Sequence, residues 1–72
     1  YQRKYVSFIN GIAFVRVPLK DKAKVRGLLK NKLDEGNPIY LGTASGNLTK
    51  IGSIPADINL DDLDREIQGV IG

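Results

Sequence analysis

Residues 5–17 read YVSFINGIAFVRV, two largely apolar runs on either side of Asn10-Gly11. A two-residue turn of type I′ requires positive φ at both central positions, and Asn-Gly adopts that conformation at little cost. The stretch therefore predicts a β-hairpin. Because a two-residue turn fixes the register, we expect Ile9 to lie opposite Ile12 and the earlier pairs to follow in order.

Alternation along the two predicted strands divides their side chains between the faces of the hairpin. One face is uniformly apolar and is expected to pack on the core: Val6, Phe8, Ala13, Val15 and Val17. The other face mixes aromatic, aliphatic, polar and basic side chains: Tyr5, Ser7, Ile9, Ile12, Phe14 and Arg16. The hairpin alone thus predicts a sheet with one buried face and one face of mixed character.

Two later segments have the apolar spacing of amphipathic helices. Asp21 is predicted to cap the first, which runs to about Leu33 before the helix-stopping Gly36, and Asn59 is predicted to cap the second. The apolar stripes are Val25, Leu28, Leu29 and Leu33 in the first helix and Leu60, Leu63, Ile67, Val70 and Ile71 in the second. Lys32 falls within the first stripe, so we expect either that its ammonium group reaches past the helix or that the helix ends early.

Residues 39–43 and 48–54 have the composition of two further strands, joined by a turn at residues 44–47. Gly42 and Gly52 interrupt these strands and predict bulges or close backbone approaches. The element order is therefore ββαββα, an α+β fold whose economical form is a four-stranded antiparallel sheet with two helices on one face. A small β-barrel with helices at its ends is the alternative.

Length and composition restrict the class of protein. Seventy-two residues, 42% hydrophobic and 26% charged, fit one folded domain. The chain begins at Tyr1 and contains no methionine, so we expect a processed product or part of a longer protein. The absence of cysteine removes disulfides and favours an intracellular location. No apolar run approaches the roughly 20 residues that cross a bilayer, and no signal peptide is evident, so no membrane partner is expected.

The charges are divided unequally along the chain. Residues 1–32 contain nine Lys or Arg and one acid, a net charge of +8, whereas residues 33–72 contain two Lys or Arg and seven acids, a net charge of −5. This polarity predicts a basic surface that faces an anionic partner. The alternative is that both charge groups are simply the solvated faces of helices.

The residue types that most enzymes use are missing. The chain contains no His and no Cys, so the common general base, the thiol nucleophile and the usual transition-metal ligands are absent, and we expect neither catalysis nor a cofactor. The acids that remain near the C-terminus are expected to form a solvated face of the second helix rather than a catalytic pair: Asp61, Asp62, Asp64 and Glu66.

Two short stretches imitate ligand-binding motifs. Residues 57–61 resemble the opening of an EF-hand loop, but Asp62 stands where a glycine is needed and Gln68 where a glutamate is needed. Residues 42–47 have the composition of a phosphate-binding loop, but they lack the Gly-Lys-Ser/Thr ending and precede a strand rather than a helix. We therefore expect a hairpin turn and no calcium site, and the sequence indicates no small-molecule substrate.

The outer face of the hairpin is the remaining candidate site. Its members, with the cations expected at its edge, are Tyr5, Phe14, Arg16, Arg3, Lys4, Lys20 and Lys24. We expect a non-catalytic module that presents this face to a protein partner or to a second copy in a homodimer, since two helices leave one side of the sheet open. The alternative is a small DNA- or RNA-binding domain, in which the cations bind phosphates and the rings of Tyr5 and Phe14 stack on bases.

Overall fold

The chain forms four strands and two helices in the predicted order ββαββα. The computed structural model describes residues 1–72. The elements are β1 (Val6–Ile9), β2 (Ile12–Arg16), α1 (Lys22–Lys30), β3 (Asn37–Gly42), β4 (Thr49–Ile54) and α2 (Leu60–Ile71). A 3-10 helix over Leu19–Asp21 leads into α1. Neither α1 nor α2 has the length and apolar character needed to cross a bilayer.

The hairpin of β1 and β2 has the predicted register. Ile9 pairs with Ile12 in an antiparallel ladder that continues to the start of β1. Asn10 and Gly11 have φ values of 51° and 78°, the positive values that a type I′ turn requires. The sequence signal that decides the fold is therefore confirmed in detail.

The sheet is mixed, which corrects the expectation of a purely antiparallel sheet. The strand order is β1-β2-β3-β4, and β2 pairs with β3 in parallel while the other two pairs are antiparallel. The physical reason is α1, because a helix between two neighbouring strands carries the chain back to the end of the sheet where the first strand began. β1 and β4 remain separate edges, so the sheet does not close into a barrel.

One hydrophobic core lies between the sheet and the helices. Its buried members are Val6, Ala13, Val15, Val17, Val25, Leu29, Ile39, Leu41, Ile54, Leu63 and Ile67. Because both helices pack into the cluster formed by alternate strand residues, they cover one face of the sheet and leave the other face open. Phe8, expected in this core, is 40% exposed because it lies on an edge strand one pair from the turn.

α1 is shorter than expected and begins without a side-chain cap. It ends at Lys30 rather than near Leu33, and the ammonium group of Lys32 lies 3.0 Å from Glu66 Oε1. Asp21 occupies the capping position but has φ −103° and ψ −4° after the 3-10 helix, and its side chain caps no N–H group. A capping side chain requires a non-helical backbone. Asp21 is instead buried, with no hydrogen-bond partner for Oδ2.

The second hairpin contains the predicted glycine features. β3 and β4 begin and end within two residues of the predicted bounds. A bulge leaves Ile51 of β4 unpaired, and the adjacent Gly52 has a φ of 152° that disfavours other residues. Gly42 is buried, and a Cβ there would lie 2.6 Å from a backbone oxygen of the following turn. Both predictions, a bulge and a close approach, are confirmed.

α2 begins with the predicted cap. The side-chain oxygen of Asn59 accepts a hydrogen bond of 3.0 Å from the backbone N–H of Asp62. Asp61 and Asp62 lie in the first turn, where carboxylates favour the positive end of the helix dipole. The start of α2 therefore follows from local sequence alone.

Candidate functional site

The open face of the sheet carries an aromatic pair. Phe14 of β2 and Tyr40 of β3 are cross-strand partners whose ring centroids lie 5.7 Å apart, with the ring planes at 34°. Both rings project away from the helices, because the residues on either side of them in the chain are buried in the core: Ala13, Val15, Ile39 and Leu41. Phe14 and Tyr40 are each half-buried, so part of each ring remains in contact with solvent.

A cation extends this pair across the sheet. Tyr40 lies opposite Lys50 of β4, and Ser7 of β1 lies opposite Phe14. We call these four residues the aromatic row. Lys50 is exposed and forms none of the three ion pairs of the structure. The row thus places a cation without an acidic partner opposite Tyr40, at one end of the aromatic pair.

An open groove borders the aromatic row where β2 and β3 end. It has a volume of about 540 Å³ and is lined by Lys4, Tyr5, Arg16, Val17, Pro18, Leu19, Thr43, Ala44 and Ser45, which we call the basic groove. Because β2 and β3 are parallel, their carboxyl ends meet here, and the segments that follow them form the walls. The N–H of Arg16 donates to the carbonyl of Tyr5 and the N–H of Val17 to that of Gly42, each at 3.0 Å.

The structure brings together four of the seven residues predicted for the site. They are Lys4, Tyr5 and Arg16 in the basic groove and Phe14 in the aromatic row. Lys20 and Lys24 are exposed but lie on the 3-10 helix and on α1, and neither lines the groove. Arg3 is turned toward α2, where its Nε lies 2.9 Å from Asp61 Oδ1. The open face is therefore smaller and less basic than the N-terminal half of the sequence implied.

Sequence reasoning missed Tyr40 and Lys50. The alternation of Ile39, Tyr40 and Leu41 was a usable signal that the tyrosine ring faces away from the core. Its position beside Phe14, however, depends on the parallel pairing of β2 with β3, whereas the sequence predicted an antiparallel sheet.

The N-terminal wall of the groove is held in place by Asp64 of α2. One carboxylate oxygen, Oδ1, accepts hydrogen bonds from the backbone N–H groups of Tyr5 at 2.8 Å and Val6 at 2.9 Å. The other, Oδ2, accepts from the N–H of Lys4 at 3.1 Å and from the side chain of Gln68 at 2.9 Å. Three successive backbone N–H groups thus converge on one carboxylate.

Asp64 is fully buried, so the expectation that it belongs to a solvated acidic face is wrong. Burial alone raises the pKa of a carboxyl group, but the hydrogen bonds donated by Tyr5, Gln68, Lys4 and Tyr1 outweigh burial and hold the pKa of Asp64 well below its ordinary value. A signal existed in the sequence, since position 64 lies four residues after Leu60 and three before Ile67 and therefore on the apolar stripe.

Tyr1 extends the same attachment to the start of the chain. Its hydroxyl donates to Asp64 Oδ2 at 2.8 Å and accepts a hydrogen bond from Gln68, while the guanidinium of Arg65 lies 4.2 Å from the centre of its ring. Desolvation and the hydrogen bond to Asp64 raise the pKa of the Tyr1 hydroxyl above its ordinary value. The N-terminal segment, residues 1–6, therefore packs along α2 through hydrogen bonds, an ion pair and a cation–π contact.

The other acids of α2 form ion pairs on the surface. Asp61, Asp62 and Glu66 each form an ion pair with a nearby cation. No three or more Asp or Glu side chains are grouped in a way that could hold a metal ion. The aromatic row and the basic groove, by contrast, contain cations and no acid.

Comparison with protein-family models, curated proteins and solved structures found no match to this chain.

We expect Asp64→Asn to lower the free energy of unfolding at neutral pH by about 2–4 kcal/mol. Hydrogen bonds to a charged group contribute about 1.5–3 kcal/mol each, and the new amide nitrogen would face N–H donors. Because the pKa of Asp64 is lower in the folded than in the unfolded chain, this stabilisation is complete above about pH 4 and is lost as the pH falls further. Urea unfolding of both proteins should therefore show a difference that shrinks below about pH 4.

The matched control is Asp57→Asn, since Asp57 is exposed and the substitution removes the same charge. It should change stability by no more than about 0.5 kcal/mol. A difference between wild type and Asp64→Asn that is absent, or that stays constant from neutral pH to about pH 2, would contradict the role assigned to the buried carboxylate.

Proposed function

We propose that the protein is a non-catalytic binding module for single-stranded nucleic acid and that the open sheet face is its binding surface. The observation that carries this proposal is the Phe14–Tyr40 pair at the centre of an uncovered face, bordered by Lys50 and by the basic groove. Aromatic rings on a sheet stack on unpaired bases, and nearby cations neutralise the phosphates that join them.

The geometry favours single strands over a duplex. A base can stack on Phe14 or Tyr40 only when its own ring face is free, as it is in a single strand and not within a helix of paired bases. The two rings lie side by side on adjacent strands, with their centroids 5.7 Å apart and their planes at 34°, so each offers a separate surface on which a base can stack. No helix of this fold projects from the open face to enter a groove of DNA.

The charge distribution supports an anionic ligand on this face. Lys4, Arg16 and Lys50 form no ion pair, and no acid lies in the aromatic row or the basic groove. The acid-rich α2 packs on the opposite face of the sheet. Since α1 also lies on that opposite face, its cations contribute to long-range attraction rather than to contacts with a bound strand.

We expect Phe14→Ala and Tyr40→Ala each to weaken the binding of a single strand by about 5- to 150-fold, because stacking is worth about 1–3 kcal/mol per base. The measurement is fluorescence anisotropy with a labelled oligodeoxythymidine of roughly 12 nucleotides, within the site sizes of small domains that bind single strands. Wild-type binding should weaken steeply between about 50 mM and about 200 mM salt.

Phe8→Ala is the matched control, because Phe8 is an equally large ring that lies on the other face of the hairpin. It should leave the affinity close to that of the wild type. Equal losses in all three variants would point to a general loss of folded structure, and no loss in Phe14→Ala and Tyr40→Ala would refute the stacking platform.

A second candidate function is self-association through the hairpin, which one further observation favours. Ile9 is 57% exposed beside its partner Ile12 on the open face near the turn, so an apolar patch lies next to the aromatic row. Under this alternative the chain sediments as a dimer at high concentration, and Ile9→Asp restores the monomer. A wild-type chain that stays monomeric would exclude it and leave the open face free for a nucleic acid.

A further inference from the structure

The basic groove lies at the carboxyl ends of the two parallel strands. Because both strands end at the same edge of the sheet, the segments that follow them line one crevice that is open to a ligand. Here β2 and β3 are the parallel pair, and the groove lies between residues 17–19 after β2 and residues 43–45 after β3.

The lining of the groove is suited to an anion. Two of its nine residues are cations, Lys4 and Arg16, and none is an acid. Thr43 and Ser45 add hydroxyl groups on the opposite wall. The planar guanidinium of arginine presents several N–H donors in a geometry that matches two oxygens of a phosphate, whereas lysine adds a mobile point charge.

The distance between the aromatic row and the groove matches the span of one nucleotide. Arg16 follows Phe14 by two residues on β2, so both side chains point to the open face and their backbones lie about 7 Å apart. Within one nucleotide the base and the phosphate are separated by the sugar, a span of the same order. A base stacked on Phe14 can therefore place its own phosphate over Arg16.

Hydrogen bonds within the chain fix the backbone of the N-terminal wall of the groove. The carbonyl of Tyr5 is held by the N–H of Arg16, and the N–H groups of Lys4 and Tyr5 are held by the carboxylate of Asp64. A site whose backbone is already ordered loses less conformational entropy on binding. The contact between α2 and the N-terminal segment thus fixes the backbone of Lys4 and Tyr5, which line the groove beside Arg16.

We propose that the basic groove is a phosphate subsite, in which Arg16 and Lys4 bind the phosphate of the nucleotide whose base stacks on Phe14. This inference rests on the proposed binding of single-stranded nucleic acid. The phosphate is either an internal diester of a strand or a terminal monoester, and both present the same oxygens to the two cations.

The test is the salt dependence of oligodeoxythymidine binding by the wild type, Arg16→Gln, Lys4→Gln and the control Arg26→Gln. Each lost phosphate contact on a single strand should reduce the slope of log affinity against log salt by about 0.7, which corresponds to about fivefold weaker binding at about 0.1 M salt. Arg26 lies on α1, behind the sheet, so its variant removes the same charge without touching the groove.

The experiment uses strands with a 5′-phosphate, a 3′-phosphate or neither, together with Phe14→Ala. A reduced slope in Arg16→Gln and Lys4→Gln on all strands supports an internal diester; a wild-type preference for one phosphorylated end that both variants abolish supports a terminal monoester. If Arg16→Gln and Lys4→Gln have the same slope as Arg26→Gln while Phe14→Ala still binds the strand weakly, the phosphate subsite is refuted and the proposed function stands. No binding by the wild type to any strand overturns both.

Discussion

The buried carboxylate of Asp64 determines how the N-terminal segment and α2 fit together. A buried carboxylate without partners would strongly destabilise the fold. Hydrogen bonds from the N–H groups of Lys4, Tyr5 and Val6, and from other donors, replace the hydration that Asp64 loses on folding. The same bonds satisfy the backbone N–H groups of Lys4 and Tyr5, which precede β1, and of Val6, its first residue. In a chain of 72 residues without disulfides, this polar attachment supplements a small apolar core.

The contact between Asp64 and the N-terminal segment links the stability of the fold to the proposed binding surface. Lys4 and Tyr5 line the basic groove, and their backbone N–H groups donate to Asp64 of α2. The helix that packs on the covered face of the sheet therefore also positions one wall of the groove. The acids of α2 are occupied by ion pairs or hydrogen bonds, whereas Lys4, Arg16 and Lys50 on the open side, like the cations of α1, have no acidic partner.

Local sequence predicted the elements that depend on local interactions. The Asn10-Gly11 turn, the Asn59 cap and the glycine of the β4 bulge each act within a few residues, so each could be predicted without knowing the fold. The parallel pairing of β2 with β3 and the burial of Asp64 depend on contacts between distant segments. Tyr40 was missed for the same reason, since only that pairing places it beside Phe14.

An NMR titration of isotope-labelled protein with unlabelled oligodeoxythymidine would test directly whether the open sheet face binds single strands, as we propose. Under this proposal, amide and aromatic signals of Phe14, Tyr40 and Arg16 shift progressively and saturate, while those of Leu29 in α1 remain unchanged. Shifts confined to α1, or no shifts at near-physiological salt and high concentration of the strand, would contradict it.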